Sequence, residues 1–153
     1  MARQAIDMSM SLEELENDFR GDPTYPSYLV QTCHALRRKP LRDLTDGDLR
    51  IAIGQDISLP YLVPLALMRL SADPMLAADY YEGDLLKAVL RAPETYWAGH
   101  PDQREELAGI VPQFLAQAEQ GDESWRATCF CDIEKAVKSF LRQAHIRSKS
   151  SKD

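Results

Sequence analysis

Three groups of side chains in this 153-residue chain have the types that chemistry requires. The first is Cys129 and Cys131. Two thiolates can hold a metal only if they converge on it. Residues two apart on a helix point about 200° away from one another. No C-x-x-C partner exists, so the pair reads as small apolar side chains in a helix, and no metal is expected. The second is Cys33-His34, a nucleophile beside a base. Adjacent helical residues diverge by about 100°, which prevents a direct hydrogen-bonded dyad. Cys33 also falls on an apolar stripe, so packing is its expected role. The third is the cluster Asp79, Tyr80, Tyr81, Glu82 and Asp84. Paired carboxylates do acid–base work when a cleft perturbs them. Interleaved with tyrosines they also suit an interface, where rings supply area and carboxylates supply selectivity. A solvated loop is the plain alternative. These five residues are the candidate partner-binding site.

Other chemistry lacks its motif. The glycines are scattered, and neither G-x-x-x-x-G-K nor G-x-G-x-x-G occurs. The nucleophile elbow G-x-S-x-G is absent. No cofactor and no enzymatic activity are expected.

Charge bears on partners. The net charge is −6. Residues 138–153 carry Lys138, Arg142, Arg147, Lys149 and Lys152 against Asp153, so the remainder carries −10. Such a body repels phosphates and speeds encounter with basic proteins. Direct nucleic-acid binding is not expected, and the basic end reads as a solvated helix terminus. Three cysteines argue against a disulfide framework. The first ten residues show no apolar signal region. The stretch from Leu59 to Leu70 is too short for a membrane span and is broken by Pro60, Pro64 and Arg69. A cytoplasmic protein without a membrane partner fits these features.

The elements that must position these residues all read as helices. Ser11 and Glu14 have capping-box spacing, with the helix ending near Gly21-Asp22-Pro23. Ser27 opens a second helix, in which Leu29, Cys33 and Leu36 form one stripe, and Lys39-Pro40 closes it. Thr45 and Asp48 cap a third. Ser58 opens a fourth, with Pro60 tolerated in its first turn. Tyr61, Leu62, Leu65, Ala66, Met68 and Leu70 make it apolar nearly all round, hence central. Tyr80 to Gly83 form a loop before a helix from Asp84 to about Arg91. Pro101 starts another, which Pro112 should kink or split near Gly109. The last runs from about Glu123 to Ile146, with Phe130, Ile133, Val137, Phe140, Leu141 and Ala144 inward. No strand pattern is present. The expected fold is an all-α, single-domain bundle of about six to eight helices over 1–147. A disordered basic tail is expected over 148–153.

One ordered series of short runs resembles a known family. It comprises Asp22-Pro23, Ser27-Tyr28-Leu29-Val30 and Thr32-Cys33-His34-Ala35-Leu36-Arg37-Arg38-Lys39-Pro40-Leu41. Leu44-Thr45, Asp48-Leu49-Arg50 and Ile53-Gly54-Gln55 follow, then Leu59 through Leu67 and Gly83-Asp84-Leu85-Leu86. Over roughly residues 12–91 the chain is similar to bacterial immunity proteins of contact-dependent growth inhibition (CDI) systems. The resemblance implies a cytoplasmic protein that binds the C-terminal toxin domain delivered by a neighbouring cell. It further implies stoichiometric inhibition, by covering the toxin's active site or docking surface. Such toxins are most often nucleases, and an acidic inhibitor can mimic their phosphate field. No catalytic residues carry over. Leu29, Leu36, Leu49, Ile53, Leu62, Leu65 and Leu85 of the matched runs read as core. The alternative is a helical adaptor or regulatory subunit for another basic protein, and a small enzyme is a third reading.

Overall fold

Two reciprocal caps start the chain's helices where the sequence places them. Ser11 Oγ accepts from the Glu14 amide while Glu14 reaches back to the Ser11 amide, opening α1 (Leu12–Glu16). Thr45 and Asp48 do the same for α3 (Asp46–Gly54), at 3.0 Å in each direction. Each satisfies two orphan helix donors. The computed structural model describes residues 6–21, 24 and 27–150, the last seven by backbone alone. The expected turn residues Asp22 and Pro23 lie outside the described residues. So do 1–5 and 151–153.

The fold is all-α, with almost no strand. Between α1 and α3 stands α2 (Tyr28–Leu36), followed by a 3-10 turn, Leu41–Asp43. Next come α4 (Leu59–Ala72), α5 (Asp84–Leu90), α6 (Glu94–Gly99), α7 (Pro101–Ala118), α8 (Glu123–Ala127) and α9 (Cys129–Ser150). The described residues thus hold more helices than periodicity suggests. Pro93 ends one helix and begins α6. Thr128 separates α8 from α9 where the sequence predicts one continuous helix. Pro112, expected to break its helix, lies inside an uninterrupted α7. It is exposed there, so its ring meets solvent. The expected tail boundary at 148 falls within α9, whose backbone continues to Ser150.

The core is one connected cluster running from Leu12 to Phe140. Helix α5 packs against α3, α4 and α9, and α4 also meets α3 and α7. From α4 alone, Leu59, Leu62, Val63, Leu65, Leu67 and Leu70 are buried. At about 1.5–3 kcal/mol per large apolar side chain, this helix contributes a large share of the burial energy. Met68 on the same helix is exposed, so α4 is not apolar-facing all round. The core reading holds for Leu36, Leu49, Ile53, Leu62, Leu65 and Leu85, which are all buried.

Leu29 departs from it: it is 41% exposed, beside Tyr28 at 80%. Among the described residues, the anchoring contacts of α2 gather at its C-terminal end. Leu36 is its buried residue, and the following Arg37 donates to Glu16 at 2.8 Å and to the Asp18 carbonyl at 3.2 Å. On α9, Ile133, Val137 and Phe140 are buried as expected, and Phe130 packs against the core, while Leu141 is exposed. The expected contact of Ala144 lies outside the described side chains. Among the described residues, no helix is long and apolar enough to cross a membrane.

Candidate functional site

The Asp79–Asp84 segment belongs to the connection between α4 and α5. Its shape is set from within by Asp84. One carboxylate oxygen accepts from the Ala78 amide at 2.6 Å, the other from the Asp79 and Tyr80 amides at 3.0 and 2.9 Å. The Gly83 amide adds a bond to the Leu76 carbonyl, and Ala77 pairs with Glu82 in a single bridge. Burial pushes the Asp84 carboxyl up. The backbone donors of Ala78, Tyr80, Asp79 and Tyr81 outweigh that push and hold it below the usual carboxylate range. Asp84 is therefore an ionised, buried group that organises the backbone.

Three neighbouring elements clamp the outside of the loop. From α3, Arg50 Nε donates to Asp79 at 2.8 Å, and the guanidinium lies 4.7 Å from the centre of the Tyr80 ring. From α5, Lys87 Nζ donates to the Tyr81 hydroxyl at 3.1 Å. From α8, Trp125 Nε1 donates to the Glu82 carbonyl at 2.9 Å. Gly83 closes the loop with φ of +91°, and a Cβ there would lie 2.6 Å from Ile133 Cδ1. Only glycine takes that dihedral without strain and leaves that space.

The five expected site residues thus lie together, but in two roles. Tyr80 is 76% exposed, Tyr81 is half-buried, and Asp79 and Glu82 are exposed. Asp84 is buried and spent on the loop's own amides, so its place is beneath the surface. The acids are also less available than their number suggests. Asp79 is neutralised by Arg50, and Glu82 carries the one carboxylate of the three that pairs with no described residue. Arg50, Lys87 and Trp125 complete the site and were not legible as site residues. They lie far from the loop in sequence or a helical turn beyond it, and no spacing rule joins them to it.

The remaining chemical candidates stand apart. Burial pushes the Cys33 thiol up, away from the thiolate a nucleophile needs. The thiols of Cys129 and Cys131 are free, and Cys131 Sγ contacts the Arg126 and Ala127 carbonyls. Among the described residues, no group of three or more His, Cys, Asp and Glu side chains could hold a metal ion. A second exposed apolar face lies on α2. Leu29 and Val30 there line a groove of about 610 Å³ with Cys33, His34 and Arg37.

The helices hold the tyrosine-bearing loop at the surface of an all-α protein. Comparison supplies the family: a family model described as CDI immunity proteins matches residues 14–107, and the chain belongs to that family. Its role is immunity against a toxin of such a system. The match covers the loop, its clamp residues Arg50 and Lys87, α2 to α6 entire, and α1 from Glu14 onward. Trp125, α8 and α9 lie beyond it. Comparisons with curated proteins and with solved structures give no match.

Proposed function

We propose that the protein neutralises the C-terminal toxin domain of its CDI effector by stoichiometric binding in the cytoplasm. Its contact face is centred on Tyr80, Tyr81 and Glu82, with Asp79 at the rim. The observation that carries this reading is the pre-ordered loop, with Tyr80 outward and Tyr81 half-buried, its backbone fixed by Asp84 and Trp125 and its side chains held by Arg50 and Lys87. Ordering a loop at an interface costs about 0.5–1.5 kcal/mol per immobilised side chain, and this loop is ordered before the partner arrives. Tyrosine anchors are the residue type that dominates binding energy.

The toxin in this reading is a nuclease. Its active site is basic because it must attract phosphate. The acidic body of −10 steers the two proteins together, at rates that approach 10⁸–10⁹ M⁻¹s⁻¹ at low salt on the order-of-magnitude scale for steered pairs. The single domain of 1–147 is the binding unit.

Coexpression with the toxin domain encoded beside its gene, followed by pull-down and a toxicity-rescue assay, tests the proposal. Wild type should form a 1:1 complex and rescue growth. Tyr80→Ala should weaken the complex by about 30-fold or more, the scale of a hot-spot residue. Glu82→Lys should slow association and flatten its salt dependence. Wild-type affinity in both variants would move the contact face off this loop. Failure of the wild type to bind or rescue would end the reading.

A further inference from the structure

We infer that a cationic groove along α5 receives an acidic segment of the toxin domain beside the tyrosine loop. The partner's identity rests on the function proposed above. The groove itself is read from the side chains.

Two hollows share Lys87 and Arg91 as a common wall. One, of about 540 Å³, continues over Ala92, Lys135 and Ser139 towards α9. The other, of about 420 Å³, reaches Arg50, Tyr80 and Tyr81. Four cations therefore line these two adjoining hollows on a chain that is acidic as a whole. Two are engaged: Arg50 with Asp79, and Lys87 with the Tyr81 hydroxyl and, at 4.0 Å, Asp132. Arg91 and Lys135 are exposed and make no ion pair with any described residue. Asp56 is an exposed acid of the second hollow, whereas the first carries Lys87, Arg91 and Lys135 against Asp132 alone and so keeps a cationic balance. Asp84 is buried under the loop, and Asp132 faces Lys87.

The chemistry of an occupant follows. Arg91 offers the planar fork that takes a carboxylate through two parallel hydrogen bonds, and Lys135 offers a mobile point charge. Leu90 and Ala136 are buried along the floor and suit the aliphatic stems of Glu side chains. A nucleic acid would also bring negative charge, but continuously. The surrounding body of −10 repels a continuous phosphate chain more than a short acidic peptide. The interface thus carries both signs: acidic steering over the body, and a cationic slot that sets register.

The test uses the full chain and a synthetic hexaglutamate peptide, followed by backbone amide NMR. Shifts are expected in residues 87–92 and 132–139, shrinking as salt is raised. They should vanish in Arg91→Glu/Lys135→Glu, whose circular dichroism should match wild type because both side chains are exposed. Arg91→Gln/Lys135→Gln gives a milder check should the double reversal disturb folding. No localised shifts, shifts that survive in the charge-reversed variant, or a larger response to a thymidine hexanucleotide would each overturn the inference. With the toxin domain itself, the charge-reversed variant should bind at least about tenfold more weakly, and equal affinity would also overturn it. If wild type does not bind that toxin, the proposed function fails, and the peptide titration still decides the groove.

Discussion

Asp84 shows how one carboxylate can set the shape of a loop from beneath its surface. Its folded-state titration lies below the usual value because amide donors outweigh the cost of burial. A depressed carboxyl contributes stability that is fully present above its unfolded value, about 3.9, and is lost as pH falls through the lower folded value. Asp84→Asn keeps the shape but sets an NH₂ against the amide donors. It should cost about 2–3 kcal/mol at pH 7, the scale of hydrogen bonds to a charged group. The gap between wild type and variant should stay constant above about pH 5 and close below about pH 4. Urea unfolding at pH 7, 5 and 3 measures it, and a gap that persists undiminished at pH 3 would show that the ionised form is not what holds the loop. Sequence alone placed Asp84 with Asp79 and Glu82 as one acidic group. Nothing in residue type distinguishes a carboxylate facing water from one folded under its own loop. The difference lies in the backbone path from Ala78 to Gly83.

Among the elements, the caps and breakers were the legible part. Ser11, Thr45, Asp84 and Pro101 each stand where a helix begins, because capping is local chemistry between residues three or four apart. Ser58 is instructive in the other direction. It occupies the N-cap position of α4 with φ of +48° and makes no side-chain cap bond. Its hydroxyl donates instead to Glu16 at 2.8 Å, a partner 42 residues away that no local rule supplies. Helix α6 is not legible in the sequence because six residues carry too little periodicity. It forms because Trp97 is fully buried and Tyr96 reaches the Leu59 carbonyl at 3.2 Å. Pro112 tests how far tertiary packing overrides propensity. Val111 before it and Phe114 two residues after it are buried, and that burial carries α7 through the break. Pro112→Ala restores an amide donor at an exposed site and should raise stability by about 1–3 kcal/mol. Thermal denaturation reads it, and an unchanged or lower melting temperature would mean that α7 depends on the proline ring.

For the molecule as a whole, a single core from Leu12 to Phe140 predicts one cooperative unfolding transition. Far-ultraviolet dichroism reports all the helices together. Tryptophan fluorescence reports Trp97 in the core and Trp125 under the loop. The two probes should give coincident urea curves. Separated midpoints would divide the chain into independent units, with α8 and α9 the first candidates because they lie beyond the family match. The all-α class was readable from stripes and breakers, whereas the surface was not. Leu29 looks like a core residue in its stripe. It is solvent-facing because exposure depends on which neighbours arrive from elsewhere in the chain.

The clamp on the loop grips main chain more than side chains. Asp84 holds amides, Trp125 holds a carbonyl, and Gly83 fits by having no side chain at all. Such a mount does not use the Glu82 side chain, and it meets position 80 through the Arg50 guanidinium over the Tyr80 ring. On the proposed contact face the tip would then resemble a tool in a fixed chuck: a change of toxin would be met by a new side chain at position 82, with the main-chain grip beneath unaltered.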